Sequence, residues 1–193
     1  MRHNNIRDLN AELQREVCRD VVIEPALIPL DNEQITGTDA DRAAPDVSSR
    51  GLWSTFERTF FDVCVTHPNS PTYENKNMTQ IYNLHEARKM KKYNNRIIQV
   101  EKGTFTPLIY TTSGGWGSQA TRYHKRLAKK LSQKRGEEYA TIMRYMRTRI
   151  RFSILRSTLI AIRGERGKRP MYTQPLCATS FNLIPASMEY ECY

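Results

Sequence analysis

Thr59-Phe60-Phe61-Asp62-Val63-Cys64-Val65 is the run on which the fold turns. Aromatic and β-branched side chains dominate it, and these suit a pleated, half-buried surface, so it predicts a strand. His67-Pro68-Asn69-Ser70-Pro71 ends it with turn-forming residues. Working outward, Phe105 to Thr112 predicts a further strand, paired with one over Arg96 to Glu101 that holds Ile97, Ile98 and Val100. Val21-Val22-Ile23 predicts a short buried strand stopped by Glu24-Pro25, and residues 45–49 a short strand after Pro45. Apolar residues at helical spacing predict helices over 5–19 (Ile6, Leu9, Leu13, Val17), 77–96, 118–134 and 137–162. Residues 31–42 are polar and predict a loop; 170–193 lack a period and predict a poorly ordered tail. The order implies one α/β domain over about 1–168, a small mixed central sheet flanked by helices, with C-terminal basic helices from about 118 to 168 and a tail over 169–193.

The formal net charge of +10 is unevenly spread. Residues 1–62 carry 12 acidic and 7 basic residues, whereas 122–169 carry 16 basic residues against Glu137, Glu138 and Glu165. That asymmetry points to a polyanion, with Arg122, Lys125, Arg126, Lys129 and Lys130 on the basic helix as candidate phosphate contacts. An ordinary solvated helix face is the competing reading. The basic segment lacks the Trp- and Phe-rich face of a membrane-surface helix. No apolar run is long enough to span a bilayer, and the start of the chain does not read as a secretory signal, so a nuclear or cytoplasmic protein is expected. The cysteines at 18, 64, 177 and 192 form no Cys-x-x-Cys pair, so free thiols are expected rather than a zinc site. No Gly-Lys-Ser/Thr follows Gly114-Gly115-Trp116-Gly117, and no Gly-x-Ser-x-Gly occurs. No small-molecule organic cofactor is expected.

Asp62 lies inside an apolar strand, and Asp46 follows Pro45 at the start of another. A buried carboxylate is costly unless it is paired or holds a cation. Two such groups on neighbouring strands repel, and a magnesium or manganese ion resolves the repulsion while activating water for phosphodiester cleavage. The alternative places Asp62 on the solvent face of an edge strand and makes Asp46 a turn residue. Lys89 and Tyr93, four apart, share one helix face; a lysine there could meet a scissile phosphate, and a tyrosine could stack or donate a hydrogen bond.

Several ordered blocks resemble the restriction-like endonuclease region at the C-terminus of non-LTR retrotransposon reverse transcriptases. They are Arg2-His3-Asn4-Asn5-Ile6-Arg7-Asp8-Leu9, Pro45-Asp46-Val47, Glu57 to Val65, His67 to Pro71, His85 to Tyr93, Val100 to Leu108, Gly114-Gly115, His124-Lys125-Arg126 and Arg163-Gly164. The resemblance implies a PD-(D/E)XK nuclease fold, with Asp46 and Asp62 as ligands of Mg2+ (or Mn2+) and Lys89 and Tyr93 as catalytic partners on the following helix. Glu12 or Glu16 would add a further carboxylate. It implies an endonuclease that nicks target DNA so that the freed 3′-hydroxyl primes reverse transcription, with DNA and the element RNA as partners. Two departures stand out. Cys64 occupies the position two after Asp62 where a lysine is expected, so Lys89 must take that role. No polymerase motif is present, which implies a fragment of a longer element and leaves open a non-catalytic nucleic-acid-binding remnant of the same fold. A folded module unrelated to DNA is a third possibility.

Overall fold

A computed structural model describes residues 2–28 and 44–163. Helix α1 (Arg2–Val17) leads into β1 (Arg19–Ile23); β2 (Val47–Arg50) and β3 (Arg58–Thr66) follow. A 3-10 turn at Pro71–Tyr73 precedes α2 (Met78–Gln99), and β4 (Thr104–Thr111), α3 (Ser118–Arg135) and α4 (Tyr139–Arg163) complete the order. The loop expected over 31–42 and the tail expected over 170–193 lie outside the described residues.

The four strands form one mixed sheet in the order β1-β2-β3-β4. β1, β2 and β3 are antiparallel neighbours, whereas β3 and β4 run parallel. A parallel pair needs a long crossover, and α2 supplies it. Side chains of β3 alternate between two cores because successive strand residues point to opposite faces. Phe61 and Val63, with Leu108 and Tyr110 of β4, face α1 and α3, and α4 packs across those two helices to complete the same core. On the other face Phe60 and Phe105 pack against Tyr93 and Ile97 of α2. The molecule is thus a mixed α/β unit, a four-stranded sheet with α2 on one face and three helices on the other.

Arg96–Glu101 is not a strand. Helix α2 continues to Gln99, and its last buried residue, Ile97, sits one turn beyond Tyr93 over Phe60 and Phe105. Two adjacent isoleucines and a nearby valine imitate strand composition, but Ile98 is exposed while Ile97 is buried. The partner of β4 is therefore β3. β1 also differs from expectation: it is a half-exposed edge strand, not a buried one.

The two ends of α2 and α3 are closed differently. Asn77 caps α2 by accepting from the Gln80 amide, and the Gln80 side chain answers to the Asn77 amide. α3 starts at Gly117, which has no side chain to offer. Glu86 of α2 substitutes, accepting from Ser118 Oγ at 2.8 Å and from the Gln119 amide at 3.0 Å. The carboxylate lies so close that a Cβ on Gly117 would come 2.6 Å from Glu86 Oε1, so the cap requires glycine.

A buried polar network joins α1, β4 and α3. Tyr110 OH meets His124 Nε2 at 2.8 Å and accepts from Asn10 Nδ2 at 3.3 Å, while Gln14 Nε2 donates to Tyr123 OH at 2.8 Å. Trp116 stacks on His124 with ring centroids 4.2 Å apart. Burial, helped by the charge of Arg147, pushes the His124 pKa down to about 3. The unfolded chain takes up that proton near 6.5 and the folded chain does not. Stability from this group is thus complete above pH 6.5 and is lost as pH falls toward 3, by about 1.4 kcal/mol per pH unit. Urea unfolding at pH 7, 6, 5 and 4 should show His124→Gln less stable than wild type at pH 7 but with a visibly flatter decline; parallel curves would contradict this origin of the acid sensitivity.

Candidate functional site

The register of β2 and β3 builds the site. Val47, the first residue of β2, stands opposite Phe61, so Asp46 and Asp62 each lie one residue beyond that pair, close enough for the Asp46 charge to act on Asp62. Both are buried, Asp46 at 7% exposure and Asp62 at 3%. Because β2 begins at Val47, the Val63 amide has no β2 residue to meet; Asp46 Oδ2 accepts its N–H at 2.6 Å. The same oxygen lies 2.9 Å from His3 Nε2, at the start of α1. Hydrogen bonding to Asp46 raises the His3 pKa above its ordinary value, against the opposing effect of burial.

Asp62 is served from the helix that crosses its face. Lys89 Nζ lies 2.5 Å from Asp62 Oδ2. Burial raises the Asp62 pKa; Lys89 works against that rise and Asp46 adds to it. Tyr93, one turn beyond Lys89, has its phenol pKa raised by burial and then by the Asp62 charge beside it. It therefore stays protonated and able to donate. Cys64 shares the Asp62 face, being two residues along the strand, and burial raises its thiol pKa despite Lys89 nearby. Its Sγ lies 3.7 Å from His85 Nδ1, and His85 Nε2 lies 2.8 Å from Tyr73 OH. A protonated thiol cannot replace an ammonium, but Lys89 brings one to the same carboxylate from α2.

Asp46, Asp62, Lys89 and Tyr93 thus come together in one place. The donor set suits a hard divalent cation. Magnesium is commonly held by one or two carboxylates, with water and phosphate completing its shell, and here two buried carboxylates repel one another across adjacent chain segments. Among the described residues no group of three or more His, Cys, Asp or Glu side chains is placed to hold a metal; this site offers two carboxylates. Lys89 brings positive charge to Asp62, and His3 a hydrogen bond to Asp46.

Other expected contributors lie elsewhere. Glu12 pairs with Arg149 at 3.2 Å and Glu16 with Arg135 at 2.6 Å. Glu16 sits thirteen residues from His3 along one helix, about 20 Å, so α1 brings His3 to the site rather than a carboxylate. Of the basic set on α3, Arg122, Lys125 and Lys129 are exposed and Lys130 is half-buried. Arg126 is committed, donating to the backbone oxygens of Leu52 at 3.0 Å and Trp53 at 3.1 Å; it holds the protein together and is not a free phosphate contact.

Burial raises the folded-state pKa of Asp62, and a carboxyl so shifted contributes stability below its unfolded value and loses it as pH rises through the folded one. Urea denaturation at pH 7 without divalent metal should find Asp62→Asn at least as stable as wild type, since half-buried Lys89 can turn toward water. Manganese at ten times its Kd should stabilise wild type by about 1.4 kcal/mol and leave Asp62→Asn unmoved. A destabilised Asn variant that still responds to manganese would contradict both halves. No family model matches the chain, and no curated protein does.

Proposed function

We propose that the chain is a divalent-metal-dependent DNA endonuclease domain with a restriction-endonuclease-like fold, of the kind that nicks target DNA to prime reverse transcription of a retrotransposon. The convergence of Asp46 and Asp62 beneath Lys89 and Tyr93 carries this reading. Asp46 and Asp62 would hold magnesium or manganese, which would supply charge neutralisation at the scissile phosphate and a more acidic water. Lys89, beside Asp62 and partly open to solvent, would meet the phosphate and stabilise developing negative charge. Tyr93, held as a phenol, would donate a hydrogen bond to a phosphate or leaving oxygen. His3 would hold Asp46 in orientation. The exposed cations of α3 would contact backbone phosphates, giving salt-dependent binding without sequence preference.

A second reading has a specific observation behind it. Each carboxylate already has a partner, Asp46 in Val63 N–H and His3, Asp62 in Lys89. A site so neutralised can persist as structure, leaving a non-catalytic nucleic-acid-binding remnant.

Supercoiled plasmid separates the two. With magnesium or manganese, wild type should yield nicked circles, Asp46→Ala and Asp62→Asn should lose at least about 100-fold, and Lys89→Ala should lose about 100-fold or more, as for a group acting directly on the transition state. Salt-sensitive DNA binding with no nicking in either metal would select the remnant.

A further inference from the structure

The loop of residues 51–57 joins β2 to β3 and carries Phe56, 84% exposed and the most exposed large hydrophobic side chain among the described residues. A lone exposed apolar residue is ordinary. What sets Phe56 apart is the way its loop is held. Leu52 at the root is fully buried. Arg126 of α3 fastens the backbone at Leu52 and Trp53 through its two hydrogen bonds. The Trp53 indole N–H reaches Thr106 Oγ1 at 3.3 Å, and the Arg122 guanidinium lies 5.0 Å above the Trp53 ring. The root of the loop is therefore fastened to α3, and Phe56 follows three residues beyond Trp53.

The helix is cationic. Arg122, Lys125 and Lys129 lie on the exposed side of α3, spanning about 10 Å of helix. Arg50 and Arg58, the last pair of the β2–β3 ladder, stand at the loop's root. Three acidic groups lie nearby: Glu57 within the loop, Glu86 in the cavity beside Trp53 and Arg122, where it caps α3, and Asp20, which faces Arg50 at 3.5 Å. An exposed ring on a loop rooted against a cationic helix suits a ligand offering flat aromatic faces and regularly spaced phosphates.

We propose that the 51–57 loop and the adjoining face of α3 bind an unpaired nucleic-acid strand, Phe56 stacking on a base while Arg122, Lys125 and Lys129 hold phosphates. Every base has a π-face, so such stacking tolerates any sequence. Bases inside a duplex are already stacked and give Phe56 nothing to cover. This rests on the reading of the chain as a nucleic-acid binder but not on cleavage: Phe56 is six residues from Asp62 along the chain, up to about 20 Å if extended.

Fluorescence anisotropy in EDTA at low salt tests it, using a labelled 20-nucleotide single strand and the blunt duplex of the same sequence. Phe56→Ala should weaken single-strand binding about tenfold or more and duplex binding less than twofold, and Phe56→Trp should restore the single-strand affinity. Equal effects on both ligands, or none on either, would overturn the proposal. So would unchanged single-strand binding with Phe56-dependent co-sedimentation on phosphatidylserine vesicles, which would assign the loop to a lipid surface. Because EDTA suppresses metal-dependent cleavage, a chain that never nicks plasmid can still pass, and a nicking chain can still fail. Circular dichroism should show both variants folded, since so exposed a side chain contributes little to the core.

Discussion

Two carboxyl groups held out of water, on chain segments that lie side by side, are the constraint around which the rest of this molecule is arranged. Neither Asp46 nor Asp62 is needed to form the sheet as such, and an apolar residue at position 62 would suit the packing between β3 and α2 better. Each is tolerated because another element reaches in to meet it. β3 offers the Val63 amide to Asp46, α1 offers His3, and α2 offers Lys89 to Asp62. Three separate parts of the chain are thereby tied to one point.

The helix that brings Lys89 is also the crossover that makes β3 and β4 parallel. Its buried residues Tyr93 and Ile97 close the second core over Phe60 and Phe105. The same helix sends Glu86 to cap α3, whose exposed side carries the candidate phosphate contacts. Position and charge of the carboxylate partner, and the placement of the basic helix, therefore follow from a single packed element. Displacing α2 would disturb both together.

Much of this arrangement is legible in the sequence, for reasons that vary by residue. The β3 run is readable because aromatic and β-branched residues concentrate there, and Asp62 is conspicuous as the one charge inside it. Lys89 and Tyr93 are readable as a pair because helical spacing puts them on one face; that the face overlies Asp62 was an implication of family resemblance, not of spacing. Ile97-Ile98 misleads because short apolar runs look alike in strand and helix, and only the interval from Tyr93 to Ile97 carries the helical period. The role of His3 had no local signal, since its partner lies 43 residues away. Arg126 is indistinguishable by composition from Arg122 or Lys129, and only burial against the Leu52–Trp53 backbone separates a structural cation from exposed ones.

The central claim is that Asp46 and Asp62 share one divalent cation. Crystals soaked in manganese and measured at a wavelength where manganese scatters anomalously test it most directly. The account predicts one anomalous peak between the two carboxylates, with Lys89 turned away from Asp62. An empty position there, with Lys89 still on Asp62 and His3 on Asp46 at saturating manganese, would contradict it.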